Sequence, residues 1–260
     1  MRAPDTASDS ENHFTEGRPR FWVGTSGWIY GHWKGAFYPA DLAKSRWFDF
    51  YTSLFNTVEI NATFYRRFKD QTYIKWRERA PQGFRYVFKV PRVITHLKYL
   101  SDVGEEIRAF WHSVSLVEDR LGLVLLQTAP GMPYEPARLK EALEQFGDPT
   151  RVAVEFRRKE WLNPEVVDLL RSIGAVFCTA DSPRTKLNDW VTSSAAYIRL
   201  HGRRQWYADN YRPDELREIA DLARHMAAQG ARDVYIFFNN DFEAYAPKNA
   251  LALRELLEGS

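Results

Sequence analysis

The chain of 260 residues has one cysteine, Cys178. An internal disulfide is therefore excluded, and the usage fits a reducing compartment. Cys178 lies in the apolar run Ala175-Val176-Phe177-Cys178-Thr179, where a thiol is a buried small hydrophobe rather than a nucleophile. No apolar run approaches the roughly 20 residues of a membrane-spanning helix, so no membrane partner is expected and the expected location is cytoplasmic. Net charge is also scarce: 36 basic against 34 acidic residues leave +2, too little for a global field that draws a nucleic acid or a lipid surface. There is no Gly-Lys-Ser/Thr phosphate loop and no His-Glu-x-x-His pair. Gly24-Thr25-Ser26-Gly27 is too short a signal for a dinucleotide fold. Residues 1–19 are polar, carry acids and lack a hydrophobic stretch, unlike a signal peptide. They are expected to form a disordered tail before one domain over 20–260.

What the chain has in plenty is hydrophobic residues, 45%, and aromatics, 15%. That supports a large core at a length common for one α/β barrel. Phe21-Trp22-Val23 opens as a strand, breaks at Gly24 and Gly27, and enters an aromatic loop from Trp28 to Pro39. Such rings either line a pocket or cap a core end. Beyond it, short β-type runs alternate with helical patterns: strands near 21–26, 57–61, 85–90, 123–127, 151–156, 175–180, 196–201 and 233–239. Helices are expected near 45–54, 70–79, 103–120, 135–146, after Pro164, 184–190, 213–229 and 247–258. Eight βα units are the count of a closed (β/α)8 barrel, with an open doubly wound sheet as the alternative.

Side chains alternate across a strand. If the apolar set of each strand meets the helices, the other set meets the barrel axis. Val58 and Ile60 outward send Glu59 and Asn61 inward. Tyr86, Phe88 and Val90 outward leave Lys89 inward, and Val124 with Leu126 leave Gln127. Val152, Val154 and Phe156 leave Ala153, Glu155 and Arg157, and Ile198 with Leu200 leave Arg199 and His201. The sixth and eighth strands allow Asp181, Asn239 and Asp241. These groups lie at strand C-terminal ends, where barrel active sites are built. The plainer reading is a salt-bridge network closing the barrel, since buried charges must be paired. Acids and bases are interleaved, unlike a divalent-metal cage, so neither metal nor cofactor is expected. The mixture suits proton transfer beside an anion clamp. Arg66-Arg67, Arg157-Arg158-Lys159 and Arg203-Arg204 add basic loop tips on the same face. Tyr65, Trp161, Trp206, Tyr207 and Tyr211 stand near them, a pairing that suits phosphates with bases or a phosphorylated sugar. A Ser26–His201–Asp triad is generic and carries little weight.

Taken together, Val23-Gly24-Thr25-Ser26-Gly27-Trp28, Phe37-Tyr38-Pro39, Val58-Glu59-Ile60-Asn61-x-Thr63-Phe64-Tyr65 and Phe88-Lys89-Val90-Pro91 resemble the DUF72 (YecE-like) family. Val154-Glu155-Phe156-Arg157 with Trp161, Tyr197-x-Arg199-Leu200-His201-Gly202 and Phe237-Phe238-Asn239-Asn240-Asp241 extend the likeness over residues 21–255. The resemblance implies a TIM-type barrel and no established reaction. Members often carry histidine, proline and serine where this chain has Arg158, Lys159 and Glu160, so any proton transfer by that histidine is absent here. Phe242-Glu243-Ala244 also lacks the small residues of the pattern.

The expected function is a hydrolase acting on a small anionic substrate, phosphate-bearing or nucleic acid. Glu59 or Glu155 would be the base and His201 the acid, with Asp241 beside them; Lys89, Arg157 and Arg199 would hold the anion. Ser26, Trp28, Asn61, Tyr65, Gln127, Trp161, Asp181, Trp206, Tyr207 and Asn239 would line the substrate site. One alternative is a glycoside hydrolase-like enzyme using Glu59 and Glu155, whose separation would be about 5–5.5 Å for retention or about 6.5–9.5 Å for inversion. Another is a non-catalytic protein that binds nucleic acid or an acidic ligand.

Overall fold

A computed structural model describes residues 17–259; most of the expected tail, residues 1–16, lies outside them. Eight parallel strands form one sheet: β1 Arg20–Thr25, β2 Thr57–Ile60, β3 Arg85–Lys89, β4 Leu121–Gln127, β5 Val152–Glu155, β6 Val176–Asp181, β7 Ala195–Leu200 and β8 Asp233–Phe238. Their order, β1-β8-β7-β6-β5-β4-β3-β2, brings β1 and β2 to the two ends of the ladder, and the nearly closed result is a (β/α)8 barrel. Around it run α1 Trp47–Leu54, the short α2 Ala62–Tyr65, α3 Asp70–Arg79, α4 Gly104–Ser115, α5 Pro136–Glu144, α6 Pro164–Ile173, α7 Pro213–Ala228 and α8 Tyr245–Glu258. Local signals fix their ends. Asn163 accepts a hydrogen bond from Val166 N at 3.0 Å to open α6, Pro164 fills its first turn, and Gly174 closes it at φ +79°.

No backbone ladder joins β1 to β2, and side chains close that seam instead. The Tyr51 hydroxyl, on α1, accepts from Thr25 N (2.9 Å) and donates to Thr57 O (3.1 Å), while Asn56 Nδ2 donates to Phe21 O (3.1 Å). Gly24 lets the two backbones approach: a Cβ there would lie 2.3 Å from Thr57 O.

One expected element is absent. Between β6 and β7 there is no helix over 184–190 but a turn and an extended segment. Side chains take the backbone donors a helix would need: Ser182 Oγ accepts from Arg184 N and Thr185 N, and Thr179 Oγ1 from Asn188 N. Trp190 covers the outer face of β6 instead, its ring 5.0 Å from that of Phe177.

Side chains alternate as expected in the core. Val58, Phe88, Val124, Val154, Ile198 and Ile236 join the layer between sheet and helices. Trp22, Val87, Leu123, Leu125, Ala153, Cys178, Tyr197, Tyr235 and Phe237 fill the barrel interior. Cys178 is buried there, and its thiol is pushed well up by desolvation. The aromatic loop after β1 mostly caps the core. Trp33 and Tyr38 are fully buried, Tyr38 stacks on Trp47 (4.6 Å, 9°), and Trp28 packs on Phe48. Among the described residues no helix is long and apolar enough to cross a membrane.

Candidate functional site at the barrel mouth

Above the apolar plug the inward positions of four strands, β2, β3, β5 and β7, carry charge. Arg199, on β7, lies at the centre and is fully buried. Its Nε and NH2 donate to Glu59 Oε2 (2.9 Å) and Oε1 (2.7 Å), a two-pronged pair, and its NH1 donates to Glu155 Oε2. Glu59 accepts two further bonds, from Ser26 Oγ (2.7 Å) and the Tyr197 hydroxyl (2.6 Å). Every lone-pair direction of Glu59 is thus occupied. Desolvation works against both carboxylates, but Arg199 overrides it: Glu59 stays below the ordinary range and Glu155 well below it.

Glu155 is less completely engaged. Its Oε1 is buried without a hydrogen bond; Arg157 Nε is 3.2 Å away and His201 Nε2 3.5 Å. His201 is buried, and desolvation lowers its pKa to about 4, so the ring is neutral near pH 7. Asn239 Nδ2 lies 3.1 Å from His201 Nδ1; as a donor there it leaves the ring proton on Nε2, facing Glu155. A charged acid role for His201 at neutral pH is not supported.

Lys89 forms the next tier outward, 9% exposed. Nζ donates to Gln127 Oε1 at 2.8 Å and sits 4.3 Å from the Phe64 ring centroid. No carboxylate lies within 4.0 Å of it among the described residues. Desolvation, then repulsion from Arg199, brings its pKa down to about 8. Gln127 Nε2 and, at the start of α2, Asn61 Oδ1 are buried with no hydrogen-bond partner among the described residues. Arg157 completes the tier: its guanidinium carbon lies 5.6 Å from the Trp206 ring centroid, and its terminal nitrogens form no hydrogen bond among the described residues. Trp206 in turn packs on His201 (5.5 Å) and Tyr207 (5.7 Å).

The Lys89 shift is a stability statement. The folded protein holds fewer protons than the unfolded chain between about pH 8 and 10.5, so stability rises with pH across that window and the penalty is full below it. Lys89→Met is expected to stabilise the protein at pH 7 by about 1–2 kcal/mol, the lost Gln127 contact offsetting part of the relief. Urea titrations at pH 7 and above pH 10.5 check this; a variant less stable than the parent at pH 7 refutes it.

Several expected residues stand elsewhere. Asp181 shares the outward parity of Phe177 and Thr179, and its carboxylate takes Arg203 Nε at 2.8 Å. Trp161 is fully buried and stacks on Phe156 (5.2 Å, 10°), so it is core under the β5 loop. Asp241 faces another hollow of about 880 Å³, lined by His32, Trp206, Tyr207, Phe242 and Lys248. Its carbonyl accepts from Trp33 Nε1 (3.1 Å) and meets His32 Nε2 (2.7 Å). Tyr65 and Tyr207 are rim residues, 72% and 42% exposed. The basic tips differ in kind. Arg203 and Arg204 are paired with Asp181, Glu218, Asp209 and Glu215, and Arg158 with Glu160. Arg66 and Arg67 have no ion pair among the described residues and border a hollow of about 230 Å³ with Phe64 and Arg92. Sequence reading missed Tyr197, which the same parity as Arg199 marks, and Phe64, which α2 turns under Lys89. It also missed His96, 4.9 Å from the Phe64 ring, whose pKa falls to about 4 through desolvation and then the Lys89, Arg157 and Arg92 charges.

Fold and site define a (β/α)8-barrel protein whose axis is closed by a carboxylate–arginine–carboxylate cluster under a cationic mouth. The chain belongs to the DUF72 family, whose model, described as a protein of unknown function, matches residues 22–260. The UPF0759 protein YunF of Bacillus subtilis is 26% identical over 91% of this chain and 94% of its own length. The UPF0759 protein YecE of Escherichia coli is 30% identical over 43% of this chain and 41% of its own. Among solved structures, a DUF72 family protein from Thermotoga maritima superposes with a TM-score of 0.83 at 27% identity, over 92% of this chain and 99% of that one.

Proposed function

We propose that the protein is an enzyme acting on a small anionic substrate bound at the C-terminal mouth of the barrel. Arg157 and Lys89 hold the anion, and Lys89 is the group that exchanges a proton. The observation that carries this reading is the unmatched chemistry of one tier. Among the described residues Arg199, Arg157 and Lys89 face only Glu59 and Glu155, with His201 neutral, leaving one positive charge in excess. Beside them Gln127 Nε2 is buried without a hydrogen-bond partner, and Glu155 Oε1 has only the looser approaches of Arg157 and His201. A buried polar atom without a partner costs about 1–3 kcal/mol, and an anion both offsets the excess charge and offers an acceptor to Gln127 Nε2. A lysine that titrates near pH 8 is matched to proton transfer at working pH.

Hydrolysis, the reaction expected from the sequence, is retained only as its acid–base part. Glu59 is saturated, which counts against it as base or nucleophile. Glu59 and Glu155 are bound to one guanidinium, which counts against a glycosidase pair, because both carboxylates are held as its counter-ions. The internal pairing of Arg203, Arg204 and Arg158 disfavours a nucleic-acid track in favour of a small ligand.

Calorimetric titration with inorganic phosphate tests the site. Binding is expected, and Arg157→Ala or Lys89→Met should weaken it at least tenfold, since hydrogen bonds to charged groups are worth about 1.5–3 kcal/mol. Phosphate binding that neither replacement changes, or no binding at millimolar phosphate, would remove the mouth as an anion site.

A further inference from the structure

We propose that Lys89 is an amine nucleophile: its Nζ, set between the Phe64 ring and the Gln127 amide with Arg157 alongside, forms an iminium with the carbonyl of a small 2-oxo acid. The inference rests on the anion-site reading above and names the substrate class. A lysine that only clamps anions gains from a solvated, flexible ammonium. Lys89 is placed differently. It is nearly buried, an aromatic face covers one side, and its only hydrogen-bond acceptor among the described residues is the neutral Gln127 Oε1 at 2.8 Å. Arg199 binds both neighbouring carboxylates, so neither pins the ammonium. Desolvation beside another cation is how lysines are made nucleophilic, and the lowered pKa agrees with that placement. The guanidinium of Arg157, whose terminal nitrogens bond to nothing among the described residues, suits the carboxylate of an acid whose reactive carbon is one bond away.

The step balances without any further reagent. The ammonium first releases a proton to solvent, and the neutral Nζ attacks the carbonyl carbon. The oxygen takes up a proton and the nitrogen loses one, giving a carbinolamine. A second proton on that oxygen lets the C–O bond break and water leave. The sum is ammonium plus ketone to iminium plus water, with charge conserved. The iminium then withdraws electrons from the carbon next to it.

The test is reductive trapping on the full chain. The protein is incubated at pH 7.5 with pyruvate or glyoxylate and cyanoborohydride, which delivers hydride to an iminium carbon and fixes a secondary amine. Peptide mass mapping then compares Lys89 with the exposed Lys34 and Lys186. Labelling of Lys89 is expected to saturate, to exceed that of the two exposed lysines at least tenfold, and to be suppressed by phosphate. Lys89→Arg should leave only the slow exposed background. Adducts that favour the exposed lysines, or spare Lys89 altogether, overturn the proposal. If phosphate still binds in that case, the anion site stands without the nucleophile; if neither occurs, both readings fall.

Discussion

Arg199→Met should destabilise the protein by about 3–5 kcal/mol, the cost of leaving buried carboxylates without their cation. Arg199 is the shared partner of Glu59 and Glu155, and all three are buried. With the guanidinium gone, Glu59 keeps Ser26 and Tyr197 as donors, but Glu155 keeps only the loose approach of Arg157 and His201. A loss of this size is a large share of the roughly 5–15 kcal/mol that holds a domain folded. The sign with pH is fixed by the same cluster. Both carboxylates titrate below their ordinary value in the parent, so their stabilisation is present above that value and is lost as pH falls. In Arg199→Met that contribution is missing, and the gap between variant and parent should narrow as acid protonates the carboxylates. Replacing Glu59 and Glu155 by Gln along with Arg199→Met should recover most of the loss, because a buried ion cluster exchanged as a whole is often near neutral. Urea unfolding of the single and triple variants decides it. A single variant as stable as the parent would mean that the cluster is not what closes the barrel axis.

Gly24→Ala should cost about 3 kcal/mol or more, the upper end of overpacking penalties. The added methyl would meet Thr57 O at 2.3 Å and the Tyr51 hydroxyl at 3.1 Å. The first of these is backbone, so relief requires β1 and β2 to part where no ladder holds them. That would stretch the Tyr51 bridge between Thr25 and Thr57 and displace Ser26 from Glu59. The effect should therefore appear twice, as a lower unfolding midpoint and as weaker phosphate binding. Gly31→Ala is the control, since nothing lies within 4 Å of a Cβ there. Equal stability of the two variants would show that the seam tolerates opening.

How much of this was legible beforehand depends on what kind of information each feature uses. The strands and their inward sets were legible, because a period of two is written residue by residue in runs such as Val152-Ala153-Val154-Glu155. Lys89, Glu155, Arg199 and His201 follow from that count alone. The missing helix after β6 was not legible: Ser182 and Thr179 take its backbone donors, and a propensity count does not see side-chain bonds of that kind. Trp161 was misplaced because a tryptophan at a basic loop tip reads the same whether the loop folds outward or over Phe156.

The sequence alone thus determined the eight-stranded barrel, the family and the inward turn of Glu59, Lys89, Glu155 and Arg199, though not the outward turn of Asp181, since a strand's period is legible where its apolar set is unambiguous. Only the tertiary structure decided how those charges divide. Arg199 reaches Glu59 across 140 positions and takes Glu155 as well, which leaves Lys89 with an amide and a ring. Pairing energy depends on distance and on exclusion of water, and both are set by packing between strands that lie far apart along the chain.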